Sequence, residues 1–313
     1  MPEFTIVVES YNLIEGQGPS RWLGSLNAAR DAAKGRGEVV VADVYGTGDF
    51  KEMLARDFPD VRRVEALGLK YDEAKVRAAL ASESEMVIFL DGDCIPQPGW
   101  HEHLLAELRT GTAAAAGYTR YDAGFYGTLM TVMDFGFFFP LERQVVLCYA
   151  FNNVAFRRQT LLDSPIPDGS MRCHCYFHAC QLERRGTPVM LIPAARAVHE
   201  TPAFLRERTR RGFDLVVAAR EDAALREHRW LKAGVLSAPL FYLQAVVLDW
   251  RRTLASWREL DIAWWQLPIA LAAYPVMRLV DLAGILRAFV VAPSHEGWGG
   301  TAFGSREVKS PTG

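Results

Sequence analysis

The sequence predicts an α/β fold in which a mostly parallel sheet is flanked by helices. Three short apolar runs rich in β-branched residues have the character of buried strands: positions 4–8, 38–42 and 85–90. Three stretches of helical character follow or separate them: positions 22–33, 51–57 and 72–82. Alternation of this kind is typical of parallel sheets, whose strands are buried on both faces and therefore form continuous apolar runs.

Two further strands are expected beyond these three. Positions 61–65 form one candidate, and positions 188–192 form the other, which is expected to end before Ala197, Val198 and His199. The stretch 113–156 is irregular and rich in Gly and aromatics. Its FGFFF run at 135–139 is interpreted as core, with a membrane-facing lip or an acceptor-site wall as alternatives, because large aromatics dominate cores and interfaces alike.

Composition and charge exclude several classes of protein. Half of the 313 residues are hydrophobic and 23% are charged, so a packed core is expected. The net charge of −2 gives no sign of the basic face that binds nucleic acid. The five Cys form no disulfide framework pattern, no secretory signal is predicted, and the cytosol is the expected compartment. The cluster around Cys173, Cys175 and Cys180 lacks the second half of a zinc site, so buried thiols are favoured.

The C-terminal third predicts a helical region that associates with a membrane. Positions 204–229 are dense in charge. Positions 233–248 and 262–277 carry no charge, and Pro268 and Pro275 interrupt the second of these two runs. Each run is shorter than the ~20 residues of a spanning helix. Tryptophan and arginine border them, as at a membrane surface: Trp230, Trp250, Trp257, Trp264, Trp265, Arg251, Arg252, Arg258 and Arg278. The alternative is a helical subdomain packed on the first domain.

A pair of carboxylates, Asp91 and Asp93, directly follows the apolar run at 85–90. Ligands of open parallel sheets bind beyond the carboxyl ends of strands. Two carboxylates separated by Gly92 suit a hard cation such as Mn²⁺ or Mg²⁺. The alternative is an ordinary turn with capping aspartates. A dehydrogenase is excluded because Arg21 stands where the third glycine of a dinucleotide fingerprint belongs.

Five segments in this order resemble glycosyltransferase family 2, whose members have the A-type fold of nucleotide-sugar transferases. They are TIVVESYN at 5–12, VVVADVYGTGD at 39–49, the stretch from AKVR at 74 to Asp93, FNN to Arg158 at 151–158, and the run from Leu182 to His199. The resemblance covers roughly residues 3–200. It implies a nucleotide-sugar-binding domain over 1–205, followed by the membrane-associating helices at 206–295 and a loose tail at 296–313.

The resemblance also implies roles for single residues. Asp43 would contact the nucleotide base, with Ser10 and Asn12 beside it, and Lys75 and Arg77 would help to bind the sugar donor. Asp91 would face the ribose or sugar, and Asp93 and His199 would bind the metal. After His199 comes a group of arginines suited to the diphosphate, Arg206, Arg208, Arg210 and Arg211, for which a solvated helix face is the alternative.

One departure from the family concerns the general base. Inverting members carry a carboxylate about a dozen residues before a Gly such as Gly186, where this chain has His174 and Cys175. His174 or His178 is therefore a candidate base, since imidazole titrates near neutral pH, and Asp168 is another. Val76 and Ala78 replace the family's Asn and Gly, and Glu9 replaces a common Pro.

The expected function is metal-dependent transfer of a sugar from a nucleotide-sugar donor to an acceptor. The apolar runs make a lipid-linked or envelope-polysaccharide acceptor plausible, at the cytoplasmic face of a membrane. Two alternatives remain open: a pseudoglycosyltransferase that acts as a membrane-bound binding partner, and a retaining transferase that needs no base at this position.

Overall fold

The computed structural model describes residues 2–15, 19–167, 174–221 and 234–291. Within them the chain forms one nine-stranded sheet in the order β3-β2-β1-β4-β8-β6-β9-β5, with β7 paired to β9. The strands are β1 (Phe4–Glu9), β2 (Glu38–Asp43), β3 (Arg62–Glu65), β4 (Met86–Leu90), β5 (Cys94–Pro96), β6 (Ala114–Tyr121), β7 (Gln144–Val146), β8 (Asn153–Arg157) and β9 (Val189–His199).

Helices cover both faces of this sheet, as the sequence predicts. They are α1 (Asn12–Glu15), α2 (Pro19–Ala33), α3 (Gly48–Asp57), α4 (Tyr71–Leu80), α5 (Trp100–Arg109), α6 (Gly124–Phe135), α7 (Arg158–Asp163), α8 (His174–Arg184), α9 (Phe204–Glu221), α10 (Ala238–Ser256) and α11 (Leu267–Val290). The expected helices and strands of the first 90 residues are all present, with ends that shift by a few residues.

The first four strands pair in parallel, and burial on both faces explains the apolar runs of β1, β2 and β4, whereas β3 (RRVE) lies at the edge of the sheet. β1 lies between β2 and β4, and all six of its residues are buried. Val7 and Phe89 pack into the core on one face of the sheet, and Ile6 and Ile88 pack into the core on the other. Because both faces of these strands are covered by helices, apolar side chains fill β1, β2 and β4 almost throughout, and the buried Thr5 hydroxyl contacts Glu38, Ser82 and Ser84.

The expectation of an irregular stretch at 113–156 is wrong in its first half. β6 and α6 lie there, and β6 pairs with β8 in antiparallel and with β9 in parallel orientation. The strand begins AAAG, a composition with low strand propensity, and burial at the centre of the sheet overrides that propensity. The core interpretation of the FGFFF run is confirmed, because Phe135 and Phe138 are buried and their neighbours pack against them.

The expected end of the strand at 188–192 is also wrong. β9 continues to His199, and its pairing with β6 shifts register between Gly117 and Tyr118. This irregularity lets one strand run on past residues 193–195 without losing its partner. As a result His199 lies directly opposite Cys94 of β5, next to Asp93.

The C-terminal helices pack against the sheet domain through buried charges. Arg208 of α9 pairs with Asp134 of α6 and, at 2.5–2.6 Å, with Asp281 of α11. Arg278 of α11 pairs with Asp281 at 2.6 Å and with Asp249 of α10 at 2.7 Å. Core residues after the expected boundary at 205 share one cluster with the sheet, so the hydrophobic core continues across that boundary.

Helices α9 and α11 cross in close contact at two glycines. A Cβ on Gly212 would lie 2.0 Å from the Asp281 carbonyl oxygen, and one on Gly284 would lie 2.0 Å from that of Thr209. Small residues that let helix backbones approach in this way are typical of helix pairs in membranes.

The outward sides of α10 and α11 form a continuous apolar face. Its members are Leu240, Leu243, Val247, Leu254, Ile269, Val276, Leu279 and Leu286, each at least 40% exposed. In α11 the charged residues before Arg287 are Arg278 and Asp281, and both are buried. Among the described residues, one helical stretch, 264–290, is long and apolar enough to cross a membrane, with a mean hydropathy of 1.7 over its most apolar window.

Candidate active site

The loop Asp91–Asp93 at the end of β4 is held by Glu9 at the end of β1. Glu9 Oε1 accepts a hydrogen bond from the Gly92 amide at 2.7 Å, and the Asn12 amide groups donate to both carboxylate oxygens. The indole of Trp22 donates to the Glu9 carbonyl oxygen at 2.7 Å. A Cβ on Gly92 would lie 2.3 Å from the Trp22 ring, so only glycine fits between the two aspartates.

Asp91 points inward and is neutralised by Lys75 of α4. The ammonium group lies 2.5 Å from Asp91 Oδ1 and donates to the Phe151 carbonyl oxygen at 2.8 Å. The Tyr71 hydroxyl donates to the same Asp91 oxygen. Lys75 has no exposed surface and lies 4.7 Å from the centre of the Phe151 ring. Its expected role in binding the sugar donor therefore becomes indirect, because it is fully used in fixing Asp91.

Asp93 points the other way, towards His199. Asp93 Oδ2 lies 3.5 Å from His199 Nε2, and Asp93 Oδ1 is buried with no hydrogen-bond partner among the described residues. His199 Nδ1 donates to the Glu200 carbonyl oxygen at 2.7 Å, because a carbonyl can only accept. In the neutral imidazole this bond leaves Nε2 as the lone-pair nitrogen facing Asp93, which is the form that binds metals.

Arg21 of α2 fastens the aspartate loop to the end of β9. Its guanidinium group donates to the Asp93 carbonyl oxygen at 2.6 Å and to the Val198 carbonyl oxygen at 2.9 Å. It also pairs with Asp122 at 2.5 Å. A guanidinium group presents several donors in a fixed fork, so a single side chain sets the spacing between the two halves of the site.

The electrostatics of the pocket show an excess of buried negative charge. Burial raises the pKa of Glu9 to about 7, with Asp91 adding to the effect. Burial likewise raises the pKa of Asp93 to about 6, although His199 opposes it. The pKa of His199 is raised as well, because the charges of Asp93 and Asp91 outweigh the effect of its burial. Carboxylates that resist ionisation in this way are stabilised by a cation.

The side chains present fit a divalent cation. Ligand atoms of Asp91, Asp93, Cys94 and His199 all lie within 4.8 Å of one another. Carboxylate oxygens and an imidazole nitrogen suit Mn²⁺ or Mg²⁺, whereas the Cys94 thiol is a soft ligand that suits neither. The unsatisfied Asp93 Oδ1 supplies the strongest sign of a missing partner, since buried polar atoms are almost always hydrogen-bonded.

The residues expected to contact the nucleotide base line the exits of β1 and β2. The Ser10 hydroxyl accepts a hydrogen bond from the Val44 amide at 3.1 Å, and Asn12 is engaged with Glu9. Asp43 has no exposed surface and accepts hydrogen bonds from the Tyr45 and Gly46 amides. Direct contact of Asp43 with a base is therefore not supported by its burial; Asp43 shapes the loop that follows β2.

Two cations expected to bind the sugar donor, Arg77 and Arg211, form no ion pair with Asp91 or Asp93 among the described residues. Arg77 follows Lys75 by two positions on α4 and is exposed, on the opposite side of the helix from Asp91. Arg211 lies 2.9 Å from Glu207 and 3.4 Å from Asp134, and its side chain is one-third exposed. All four arginines after His199 belong to α9, and Arg208 is consumed by buried ion pairs.

Of the two candidate histidine bases, His178 lies in surroundings that do not suit a base. His178 has no exposed surface, its two ring nitrogens lie 2.8 Å from the Tyr149 hydroxyl and the Ser164 carbonyl oxygen, and burial lowers its pKa to about 4. It is a core residue and not a base. His174 begins α8 and packs edge-on against Phe151, the ring that covers Lys75. Asp168 and Cys173 lie outside the described residues, and Cys175 is buried.

Comparison with solved structures identifies the fold. The mannosyltransferase PcManGT from Pyrobaculum calidifontis, solved with GDP-Man and Mn²⁺, matches with a TM-score of 0.57 and 18% identity, over 92% of this chain and 87% of that one. GalNAc-T7, solved with UDP, GalNAc and Mn²⁺, matches with a TM-score of 0.51 and 14% identity, over 64% of this chain and 43% of that one. No curated protein sequence matches significantly. The sheet and its helices therefore form an A-type glycosyltransferase fold.

The sequence profile of glycosyl transferase family 2 matches residues 10–166. That segment contains the exits of β1 and β2, the Asp91–Asp93 loop and the strand β8, all of which build the site described above. The chain belongs to glycosyltransferase family 2.

Proposed function

We propose that this chain transfers a hexosyl group from a nucleotide-sugar donor to an acceptor, with Mn²⁺ or Mg²⁺ as cofactor. The observation that carries the proposal is the pairing of Asp93 with His199, which leaves one buried aspartate oxygen unsatisfied. Family membership supports it, and so do the two similar solved structures, which contain GDP-Man or UDP together with Mn²⁺.

The residues of the chain divide the work of the reaction. Asp93 and His199 would hold the cation, with Asp91 behind them fixed by Lys75. A cation bound there neutralises the charge that develops on the leaving nucleoside diphosphate. Ser10 and Asn12 after β1, together with the loop after β2 that Asp43 shapes, would form the wall for the nucleoside. Arg211 is proposed to contact the diphosphate. Arg77 faces solvent, so it is proposed to contact only the solvent-exposed part of the sugar donor.

The proton of the acceptor hydroxyl requires a base, and His174 is proposed for this role. It lies at the start of α8, beside Phe151 and thus on the Asp91 side of the pocket. A neutral imidazole has a lone-pair nitrogen that can accept this proton, and histidine is the side chain most often used as a general base.

The site is proposed to operate at the cytoplasmic face of a membrane, on a lipid-linked or envelope-polysaccharide acceptor. Helices in water place apolar residues inwards and charges outwards. α10 and α11 do the reverse, because Asp249, Arg278 and Asp281 are buried between helices while the apolar face looks outwards. Trp264 and Trp265 lie in the helical turn just before α11 and are 75% and 56% exposed, as tryptophans at a membrane surface are.

Turnover of the sugar donor tests the catalytic part of the proposal. The full chain is incubated with GDP- and UDP-sugars and Mn²⁺, and release of the nucleoside diphosphate is measured with and without added acceptor mixtures. Release that requires metal and is lost in Asp93→Asn supports the proposal. Metal-independent release, or release that persists in Asp93→Asn, contradicts it.

Vesicle flotation tests the membrane part. We expect the full chain to float with vesicles that contain anionic lipid, and Val276→Lys/Leu279→Lys on the apolar face to stay behind. The matched control is Leu205→Lys, another exposed apolar residue, on α9. Equal flotation of both variants, or a stable dimer that hides the apolar face in solution, contradicts membrane association.

A second candidate function is a pseudoglycosyltransferase that binds the nucleotide sugar without turnover. The observation that favours it is the loss of a carboxylate near His174, together with the burial of His178. Tight, metal-dependent binding of a nucleotide sugar with no release of nucleoside diphosphate under any acceptor condition supports this alternative. Turnover that falls in His174→Ala while binding persists rules it out.

A further inference from the structure

A polar cleft opens beside the metal-binding residues, on the side away from the nucleoside wall. It has a volume of about 320 Å³ and lies between the end of β6, the start of α6 and the turn before α11. The side chains that matter to the argument are Arg120, Asp122, Phe125, Thr128, Asp261 and Gln266. We call it the β6 cleft. Its lining combines carboxylates, an amide, a hydroxyl and a guanidinium group with an aromatic ring.

The β6 cleft is joined to the metal site by two contacts. Tyr121 lines the cleft, and its ring packs edge-on against the His199 imidazole with 5.4 Å between ring centres. Asp122 pairs with Arg21, which donates to the Asp93 carbonyl oxygen. A molecule in the cleft therefore lies next to the residues that would hold the cation and diphosphate.

The other end of the β6 cleft reaches the apolar face. Gln266 is the last residue of the helical turn Trp264–Gln266, in which Trp264 and Trp265 are exposed. The first exposed residues of α11 are Pro268 and Ile269, and Ile269 is the first member of the apolar face on that helix. The polar lining thus gives way within one helical turn to a surface without exposed charge up to Arg287.

We propose that the β6 cleft binds the sugar headgroup of an amphiphilic acceptor, whose alkyl chain lies along the apolar face. This inference rests on the proposed function and assigns its acceptor site. Sugar hydroxyls donate to Asp122 and Asp261, accept from Arg120 and exchange hydrogen bonds with Gln266 and Thr128. The ring of Phe125 covers the apolar side of the sugar.

Two features of the cleft favour a sugar attached to a chain over a free sugar. Arg120 and Asp261 form an ion pair at 3.4 Å, and their side chains are 46% and 79% exposed. Such an exposed pair contributes little to stability, so both side chains are available to a ligand. The lining holds few apolar side chains, so a free sugar would gain little from burial. An alkyl chain adds apolar contact area on the adjoining helices, and burial of apolar surface favours binding.

Equilibrium binding tests the inference without requiring turnover. Calorimetry measures the affinity of the full chain for n-octyl gluco-, galacto-, manno- and N-acetylglucosaminides below their micelle concentrations. Two kinds of control ligand are measured in the same way. Methyl glycosides lack the octyl group, and octyl tetraethylene glycol ether lacks the sugar. At least one octyl glycoside should bind about tenfold more tightly than its methyl glycoside and than octyl tetraethylene glycol ether, because each control ligand can fill only one half of the site.

The variant Arg120→Ala/Asp261→Ala should abolish the preference for the octyl glycoside over octyl tetraethylene glycol ether. The matched control is Arg56→Ala/Asp57→Ala, which removes another exposed ion pair, on α3, and should keep the preference. Equal binding of the glycosides and the ether, or an unchanged preference in the double variant, overturns the inference. Failure of the proposed function is separate, since it appears as absence of metal-dependent donor turnover whatever the glycosides do.

Discussion

His199 Nε2 lies 3.5 Å from Asp93 Oδ2, although Asp93 lies in the loop between β4 and β5 and His199 ends β9, far away in the sequence. The contact exists because β5 pairs with the last residues of β9, with Cys94 directly opposite His199. Burial raises the pKa of Asp93 to about 6 against the effect of His199, and the pKa of His199 is raised because the charges of Asp93 and Asp91 outweigh its burial. The pair is a site prepared for positive charge, and the following predictions test how it is built.

Glu9 is predicted to position the aspartate loop for metal binding. In Glu9→Ala the Gly92 amide and both Asn12 donors lose their acceptor, so the loop is freed. Loss of a residue behind a metal ligand typically costs 10- to 100-fold in metal affinity, and we expect about that rise in the Mn²⁺ concentration for half-maximal donor binding. Glu9→Gln keeps an oxygen for the Gly92 amide and should recover most of the affinity. Equal affinity in Glu9→Ala and the wild type contradicts this role.

Lys75 is predicted to stabilise the fold by neutralising Asp91. Lys75→Met leaves a buried carboxylate without its partner, which costs roughly 3–5 kcal/mol of unfolding free energy. Urea denaturation measures the change. Arg77→Met, on the exposed side of the same helix, is the control and should change stability by less than about 0.5 kcal/mol. Similar losses in both variants would show that the ion pair is not responsible.

His178 is predicted to make stability depend on pH. Its pKa is lowered to about 4 from an ordinary value of 6.5, so the unfolded chain binds its proton more readily than the folded one. Stability due to this residue is therefore complete above about pH 6.5 and falls as pH drops towards 4, by about 3 kcal/mol in all. The measurement is the difference in urea stability between wild type and His178→Gln across that range. Parallel profiles for the two proteins contradict the prediction.

The parallel part of the fold is readable from the sequence because its strands are uniformly apolar. The runs at β1, β2 and β4 can only be buried on both faces, and a carboxylate pair after β4 must then lie at the sheet edge where ligands bind. β6 is not readable in the same way. Its alanines carry no strand signal, and only the strands on either side of it in the sheet make it a strand.

The site is predictable only in part, for a physical reason. Asp91, Asp93 and His199 follow strands and carry obvious ligand chemistry. Glu9 and Arg21 do not stand out, because their roles depend on hydrogen bonds to the Gly92 amide and to backbone carbonyls of two separate strands. The replacement of the family's Pro by Glu9 was the one signal available in the sequence.

The most direct test of the central claim is calorimetric titration of Mn²⁺ into the full chain, with and without the nucleoside diphosphate of the preferred sugar donor. We predict that nucleotide and metal bind with positive coupling in the wild type, and that Asp93→Asn and His199→Ala each lose the coupling while staying folded. Mn²⁺ binding that is unchanged in both variants would contradict the assignment of Asp93 and His199 as the metal site.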